Sequence, residues 1–465
     1  MVNLLADYLE KAQSATPDKT IPYVAPEDNL AFWQADLAKG IESNPLDFFT
    51  KVVEKSTKLH NPRYIGHQVS TVAPLSALSQ IVMGMMNNGG AVYEMGMVTN
   101  SLERVVTDWL SRHFGFEAAD GGGIITSGGT LANLTALLAA RAVSSPTDDW
   151  TNGTTEKLAL LVSEEAHYCV DRAARIMGWG AEGIIKVPTN ERFQMKTDLL
   201  DAYFEKAEAE GRRVIAVVGS ACSTSTGSYD DLEAIADFAE RRKIWFHIDG
   251  AHGGAAILSK KYRSLLRGAE RANSIIVDFH KMMMVSSLAT AVLFRNPSHS
   301  YQTFHQKAQY LWENADSQDW FNLGKRTFEC TKPMLAVKVY VLLKTYGDSV
   351  FEEFIDKTHN LATEFAQILR RYKNFKIGVE PQSNIVCFRF LGRLRTSKSK
   401  KKELSLDALN ELNSAIRLKL IEKGDFYIVQ TTLRGEVFLR VSIMNPLTTI
   451  EHLKELIKEI ILLDV

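Results

Sequence analysis

The chain has 465 residues, 45% hydrophobic and 23% charged, the balance of an ordinary globular protein with room for more than one domain. A formal net charge of -1 gives no electrostatic case for nucleic acid or an anionic membrane as the main partner. The four cysteines, Cys169, Cys222, Cys330 and Cys387, form no CxxC pair, which argues against a disulfide framework or structural zinc and fits a cytoplasmic, reducing setting.

The N-terminal "MVNLLADYLEKAQ" carries acidic residues and reads as an amphipathic helix, not a signal peptide. No apolar run approaches the roughly 18–20 residues that span a bilayer. The first 60 or so residues read as helices, among them "LDFFTKVVEKSTKLH", until "HNPRYIGH" breaks the pattern. Two more helices, "LSALSQIVMGMMNN" and "SLERVVTDWLSRHFG", flank the glycine-rich "NNGGAVYEMG".

From Gly123 short apolar runs alternate with helical patterns. The strands are "GIIT", "KLALLVS", "AEGIIKVPT", "RRVIAVVGSA", "IWFHIDGA", "SIIVDFH" and "TAVLFRN". Continuous apolar strands between helices predict an α/β fold with a mainly parallel sheet covered on both faces. Ligands of such sheets sit beyond the carboxyl ends of the strands. After about residue 345, helices alternate with "NIVCFRFLG", "FYIVQTTL" and "EVFLRVSIM", a smaller α+β region. The expected division is an N-terminal helical segment (1–70), a large α/β domain (71–345) and a small C-terminal α+β domain (346–465). The basic "RTSKSKKK" reads as a solvated loop.

The unusual polar residues fall at strand ends. "TSGGTLANLTALL" puts Ser127, Gly128, Gly129 and Thr130 between a strand and a helix, either a glycine turn with a plain cap or a cup of free N–H groups for phosphate. His167 follows the next strand and by itself reads as a packed or capping residue. "GSACSTSTGSYDDL" holds Thr224 in a hydroxyl-rich turn, by itself an ST-turn. Asp249 ends "IWFHID" and needs a partner: a cationic nitrogen, a metal or a base, with His252 three residues on. Lys281 ends "SIIVDFHK", followed by Met282, Met283 and Met284. A buried ammonium is costly, so this lysine either reaches water or is a reactive amine whose charged form the apolar surroundings disfavour. One ligand would use all these groups. Pyridoxal 5'-phosphate brings a phosphate for the cup, a flat ring for His167, a ring nitrogen for Asp249 and an aldehyde for Lys281. No metal cluster is evident.

From about Asn61 to the last strand the chain resembles the pyridoxal phosphate-dependent group II amino acid decarboxylases, the glutamate, aromatic amino acid, cysteine sulfinate and diaminobutyrate decarboxylases. "TSGGTLAN", "EEAHYCVDRAA", "IDGAHGG" and "VDFHK" match its segments, with Gly250 where the family has alanine. "CSTSTGSYDD" is similar to its threonine turn, but Cys222 and Ser223 depart from the usual Gly-Thr. The resemblance implies a fold-type-I aspartate aminotransferase-like architecture. It implies Lys281 as the amine that condenses with the cofactor, Asp249 on the ring nitrogen and His167 stacked on the ring. Ser127, Gly128 and His280 would face the phosphate, with Gly129, Thr130, Thr224, Ala251 and Asp278 also against the cofactor.

Further similarities bear on the reaction. "AQYLWENAD" resembles the family's catalytic loop, with Tyr310 as the proton donor after carbon dioxide leaves; otherwise Tyr310 anchors a surface loop. "VFLRVSIMNPLTT" resembles the segment with a carboxylate-binding arginine, here Arg440; otherwise that residue is in a structural ion pair. "NPRYIGHQVS" places His67 and Gln68 on the substrate side. Where the family has Gly-Arg after the loop, this chain has Thr331-Lys332, and lysine lacks arginine's two-pronged donor. The implied activity is decarboxylation of an L-amino acid, tilted toward an acidic or small polar side chain, by a homodimer with a shared active site. Other chemistry of the same cofactor (aldehyde synthesis, carbon–carbon cleavage, transamination) or a non-catalytic interaction protein stays open.

Overall fold

Each apolar run in the middle of the chain becomes a strand of one seven-stranded sheet. In a computed structural model, which describes residues 1–14, 17–116, 122–146, 148–304, 318–392 and 404–463, these are β1 (Ile124–Thr126), β2 (Leu158–Ser163), β3 (Ile184–Val187), β4 (Arg213–Ser220), β5 (Trp245–Asp249), β6 (Ser274–Asp278) and β7 (Thr290–Phe294). Their order is β1-β7-β6-β5-β4-β2-β3. Strands β3, β2, β4, β5 and β6 run parallel, and β7 is antiparallel to both neighbours. β2, β5, β6 and β7 are buried along their whole length, because helices cover both faces.

The helix Gly129–Ser144 lies against this sheet on a small-residue face, Ala132, Ala136, Ala139 and Ala140, all fully buried. Alanine lets the helix axis approach closely, so its N-terminus is held at the strand ends. These residues pack with Leu160, Val218, Ile276 and Val292 into one core.

Contacts divide the chain into two compact units, Val72–Lys357 and Met1–Thr71 with Thr358–Val465. The second contains β8 (Phe375–Ile377), β9 (Ile385–Phe390), β10 (Val429–Leu433) and β11 (Glu436–Ser442) in an antiparallel sheet ordered β10-β11-β9-β8. The short β8 has too few apolar positions to signal a strand. Arg434 and Gly435, both at positive φ (50° and 84°), make the tight turn between β10 and β11. Phe365, Phe388, Leu439, Leu453 and Ile457 centre its core.

The segment expected to be a separate helical arm is stitched into this unit. Ile65 N–H donates to Tyr427 O at 3.1 Å, Ser442 N–H to Ile65 O at 2.7 Å, and Asn445 Nδ2 to Leu59 O and Asn61 O at 3.0 and 2.9 Å. Gly66 is needed there, since a Cβ would lie 2.6 Å from the Tyr427 ring. The helices are Val2–Ala12, Pro26–Ala38 and Pro45–Lys55; the last stops before the stretch Ser56–His60 that its periodicity included. Among the described residues, no helix is long and apolar enough to cross a membrane.

Candidate active site

The carboxyl ends of β1, β2, β4, β5 and β6 surround one cavity of about 440 Å³, within the range of small-molecule sites. Ser127, Gly128, Gly129, Thr130, His167, Thr224, Asp249, Ala251, Asp278, His280 and Lys281 all line it. Residues up to 154 positions apart in sequence, Ser127 to Lys281, thus share one site.

The two glycines of the "TSGGT" turn serve different ends. Gly128 has φ 125° and ψ 158°, a conformation that excludes ordinary side chains, and it is the N-cap of the Gly129–Ser144 helix with no side-chain cap. Gly129 is small because its backbone abuts Asp278: a Cβ would lie 3.2 Å from Asp278 Oδ1. The helix start, with its N–H groups and positive dipole end, opens toward the cavity. Ser127 is engaged already. Its Oγ–H donates to Glu329 Oε1 at 2.6 Å and its N–H reaches the same oxygen at 3.4 Å. Glu329 went unnoticed in the sequence, where it is one carboxylate among many.

Strand β6 ends at Asp278, and the next three residues turn into the one-turn helix Phe279–Met282. Lys281 therefore sits at i+3 from Asp278, on the same side, with Nζ 2.8 Å from Oδ2. Thr290 Oγ1 donates to Asp278 Oδ1 at 2.5 Å. Burial alone would push the Lys281 pKa down, but the carboxylates of Asp278 and, more distantly, Asp249 reverse this and hold it above its ordinary value. Burial would raise the Asp278 pKa, and the charges of Lys281 and His280 instead keep it below its ordinary value. The expected desolvated, charge-averse lysine is thus corrected: a buried counter-ion outweighs desolvation. Met282, Met283 and Met284, which follow it in sequence, are buried but do not line the cavity, because the turn after Lys281 carries them into the core.

Asp249 ends β5 and is 9% exposed. Its Oδ1 accepts the Ala251 N–H and its Oδ2 accepts Asn133 Nδ2, both at 3.2 Å. Gly250 stands where the resemblance expects alanine, since a Cβ would come 2.7 Å from Ile276 O on the neighbouring strand. His167 caps the Tyr168–Ile176 helix, its Nδ1 accepting the Cys169 N–H at 3.3 Å. That bond puts the ring proton on Nε2. Burial, opposed by the Asp249 charge, holds its pKa below the ordinary value. His280 Nδ1 lies 3.0 Å from Ala289 O and its Nε2 lies 3.7 Å from Asp278 Oδ2.

Tyr310 and the "RTSKSKKK" stretch lie outside the described residues. Arg440, on β11, His67 and Gln68 belong to the other unit. Arg440 is 6% exposed, while His67 is exposed with its ring 5.7 Å from that of Tyr427. The cavity also takes in Asn133, Cys169, Arg172 and His252, which sequence reasoning left aside as binding residues.

The groups present fit pyridoxal phosphate: a lysine for the aldehyde, a carboxylate at a strand mouth for the ring nitrogen, an imidazole beside it and an uncapped helix start for the phosphate. Residues 46–391 match the pyridoxal-dependent decarboxylase conserved domain. The chain belongs to the pyridoxal-dependent decarboxylases. L-2,4-diaminobutyrate decarboxylase of Acinetobacter baumannii is 26% identical over 454 residues, covering 93% of this chain and 86% of that protein. Human cysteine sulfinic acid decarboxylase is 27% identical over 460 residues, covering 97% and 92%. Aspartate 1-decarboxylase of Aliivibrio fischeri is 29% identical over 446 residues, covering 88% and 80%. The crystal structure of mouse CSAD in its apo form superposes with a TM-score of 0.89 at 25% identity, covering 99% of this decarboxylase and 96% of that chain. The fold is fold type I, the cofactor is pyridoxal 5'-phosphate, and the enzyme is a carboxy-lyase acting on an amino acid.

Proposed function

We propose that this decarboxylase converts an acidic or small polar L-amino acid to its amine and carbon dioxide, with Lys281 as the cofactor-bearing amine. The observation that carries the site assignment is the placement of Lys281, Asp278 and Asp249 in one cavity beside the uncapped helix start. The relatives acting on cysteine sulfinate, aspartate and diaminobutyrate support the substrate class, as does Arg440 in a segment resembling the family's carboxylate-binding one.

When bound, pyridoxal phosphate supplies an aldehyde and a ring that takes up the electrons released as carbon dioxide leaves. The chain's residues do the rest. Gly128, Gly129 and Thr130 would present N–H groups to the phosphate, joined by His280 and by Ser127 once its donors leave Glu329. Thr224 and Ala251 would bound the ring, His167 would cover one face, and Asp249 would pair with the ring nitrogen. Asp278 orients Lys281 through the 2.8 Å ion pair. Arg440, with His67 and Gln68, binds the substrate, and Tyr310 returns the proton to the carbon that lost carbon dioxide.

The functional division is 1–70, 71–345 and 346–465; the contact boundaries at Thr71 and Lys357 support the limits of the large domain, while 1–70 and the C-terminal part belong to one compact unit. The working form is a cytoplasmic homodimer with a shared active site. One face of the helix Pro74–Met86, with Leu78, Ile81, Val82 and Met85 exposed at i, i+3, i+4 and i+7, supports a partner of the same kind.

The test is a panel of L-amino acids with the purified holoenzyme, scored for carbon dioxide and amine. Release from aspartate, cysteine sulfinate, glutamate or diaminobutyrate is expected; turnover of aromatic substrates alone would overturn the substrate class. Lys281→Ala is expected to abolish the visible absorption band of bound cofactor and all turnover. Retention of that band would overturn the lysine assignment.

A further inference from the structure

Behind Asp249 runs a chain of buried polar side chains that the reaction as described leaves unused. Asn133, on the second turn of the Gly129–Ser144 helix, is 1% exposed. Its Nδ2 donates to Asp249 Oδ2 at 3.2 Å and to Cys169 Sγ at 3.1 Å. Both amide hydrogens are then used, and Oδ1 is left to accept. It faces His247 Nε2 at 2.8 Å, so Nε2 carries the imidazole proton. In a neutral imidazole Nδ1 then accepts, and Ser274 Oγ lies 2.8 Å from it. Ser274 Oγ in turn accepts Trp245 Nε1–H at 2.9 Å. His247 and Ser274 are both fully buried.

A neutral imidazole satisfies every group in this chain, with Ser274 Oγ accepting from Trp245 and donating to Nδ1. Burial favours the same state, holding the His247 pKa down to about 4 against the opposing charge of Asp249. A neutral, fully bonded His247 fixes the Asn133 amide in a single orientation. That orientation points N–H groups, not oxygen, at Asp249. A carboxylate that receives N–H groups on both oxygens, from Ala251 and Asn133, is held in a defined direction.

We infer that Asn133, locked by His247, is a positioning residue that holds the Asp249 carboxylate aimed at the cofactor's ring nitrogen. The inference rests on the reading of Asp249 as the ring-nitrogen partner. It goes further in assigning part of that contact's strength to two residues that touch neither substrate nor ring nitrogen.

The probe is a pair of cofactors: pyridoxal phosphate and the analogue whose ring nitrogen is replaced by carbon, with phosphate and aldehyde unchanged. Dissociation constants of both are measured by absorbance titration of the full-length apoenzyme. Wild type should prefer pyridoxal phosphate. In Asn133→Leu/His247→Phe, both polar partners give way to apolar groups of similar size, and only the buried Ser274 hydroxyl loses its acceptor. This variant should fold with a modestly lowered thermal midpoint and lose roughly tenfold or more in affinity for pyridoxal phosphate, with the analogue bound as by wild type. An unchanged preference would overturn the inference and leave the Asp249 reading standing. Equal binding of the two cofactors by wild type would overturn both. Should the double variant not fold, His247→Gln and His247→Leu decide. Gln retains an N–H for Asn133 and should keep the preference, while Leu should lose it; the same preference in both overturns the inference.

Discussion

The site is built from buried charges and a neutral histidine, and both leave signatures in pH. Lys281 and Asp278 stabilise each other's charged forms in a setting that would otherwise favour neutrality. His247 has no such partner within contact, and burial lowers its pKa from 6.5 to about 4. In the unfolded chain it titrates near its ordinary value. Between those values the unfolded state binds a proton that the folded state refuses, so stability falls as pH drops from 7 and the loss levels off below about pH 4. The expected size is on the order of 3 kcal/mol. Urea melts at pH 7, 5 and 4 should show this loss in wild type and a smaller one in Asn133→Leu/His247→Phe. Equal losses in the two would assign the acid sensitivity elsewhere.

At the scale of elements, the structure explains the lysine found where the family has arginine. Strand β1 lies at the edge of the sheet, and Ile125 offers a backbone N–H and C=O on its open side. Glu103, from the helix Val98–His113, accepts that N–H at 2.9 Å. Lys332 Nζ donates to Ile125 O at 2.6 Å and pairs with Glu103 Oε1 at 2.5 Å. Both charged side chains are 1% exposed. An ammonium, with three donors on one atom, can reach both acceptors from one position. The pair thus closes the sheet edge from which the Ser127–Thr130 turn emerges. Lys332→Met should strand the Glu103 carboxylate and cost about 3 kcal/mol or more. Lys332→Met/Glu103→Gln should cost less than the sum of its two single variants. Denaturant unfolding of the three proteins checks this, and strictly additive losses would show that the two charges act independently.

At the scale of the whole molecule, the Pro74–Met86 helix leaves Ile81 56% and Met85 76% exposed. If this face makes the proposed homodimer, Ile81→Asp together with Met85→Glu should shift the protein from dimer to monomer in sedimentation velocity, with turnover falling alongside. A dimer that survives both charges would place the interface elsewhere. The inner strands of the large sheet were legible in the sequence because a strand covered on both faces writes its burial as one continuous apolar run. The residues at their ends were legible because a carboxylate or lysine closing such a run stands out against it, and their kinds together spell one cofactor. Other features were decided only by the tertiary structure. Asn133 meets Asp249 across 116 residues and His247 across 114. Glu329 meets Ser127 across 202, and Lys332 meets Glu103 across 229. Each of these is an unremarkable residue in its own segment, and its role exists only once strand order brings two distant segments together. Periodicity is a local property of the chain. Hydrogen-bond satisfaction in a dry interior is a property of the packed whole, and there the helix and strand neighbours of a residue, not its neighbours in sequence, set its charge and orientation.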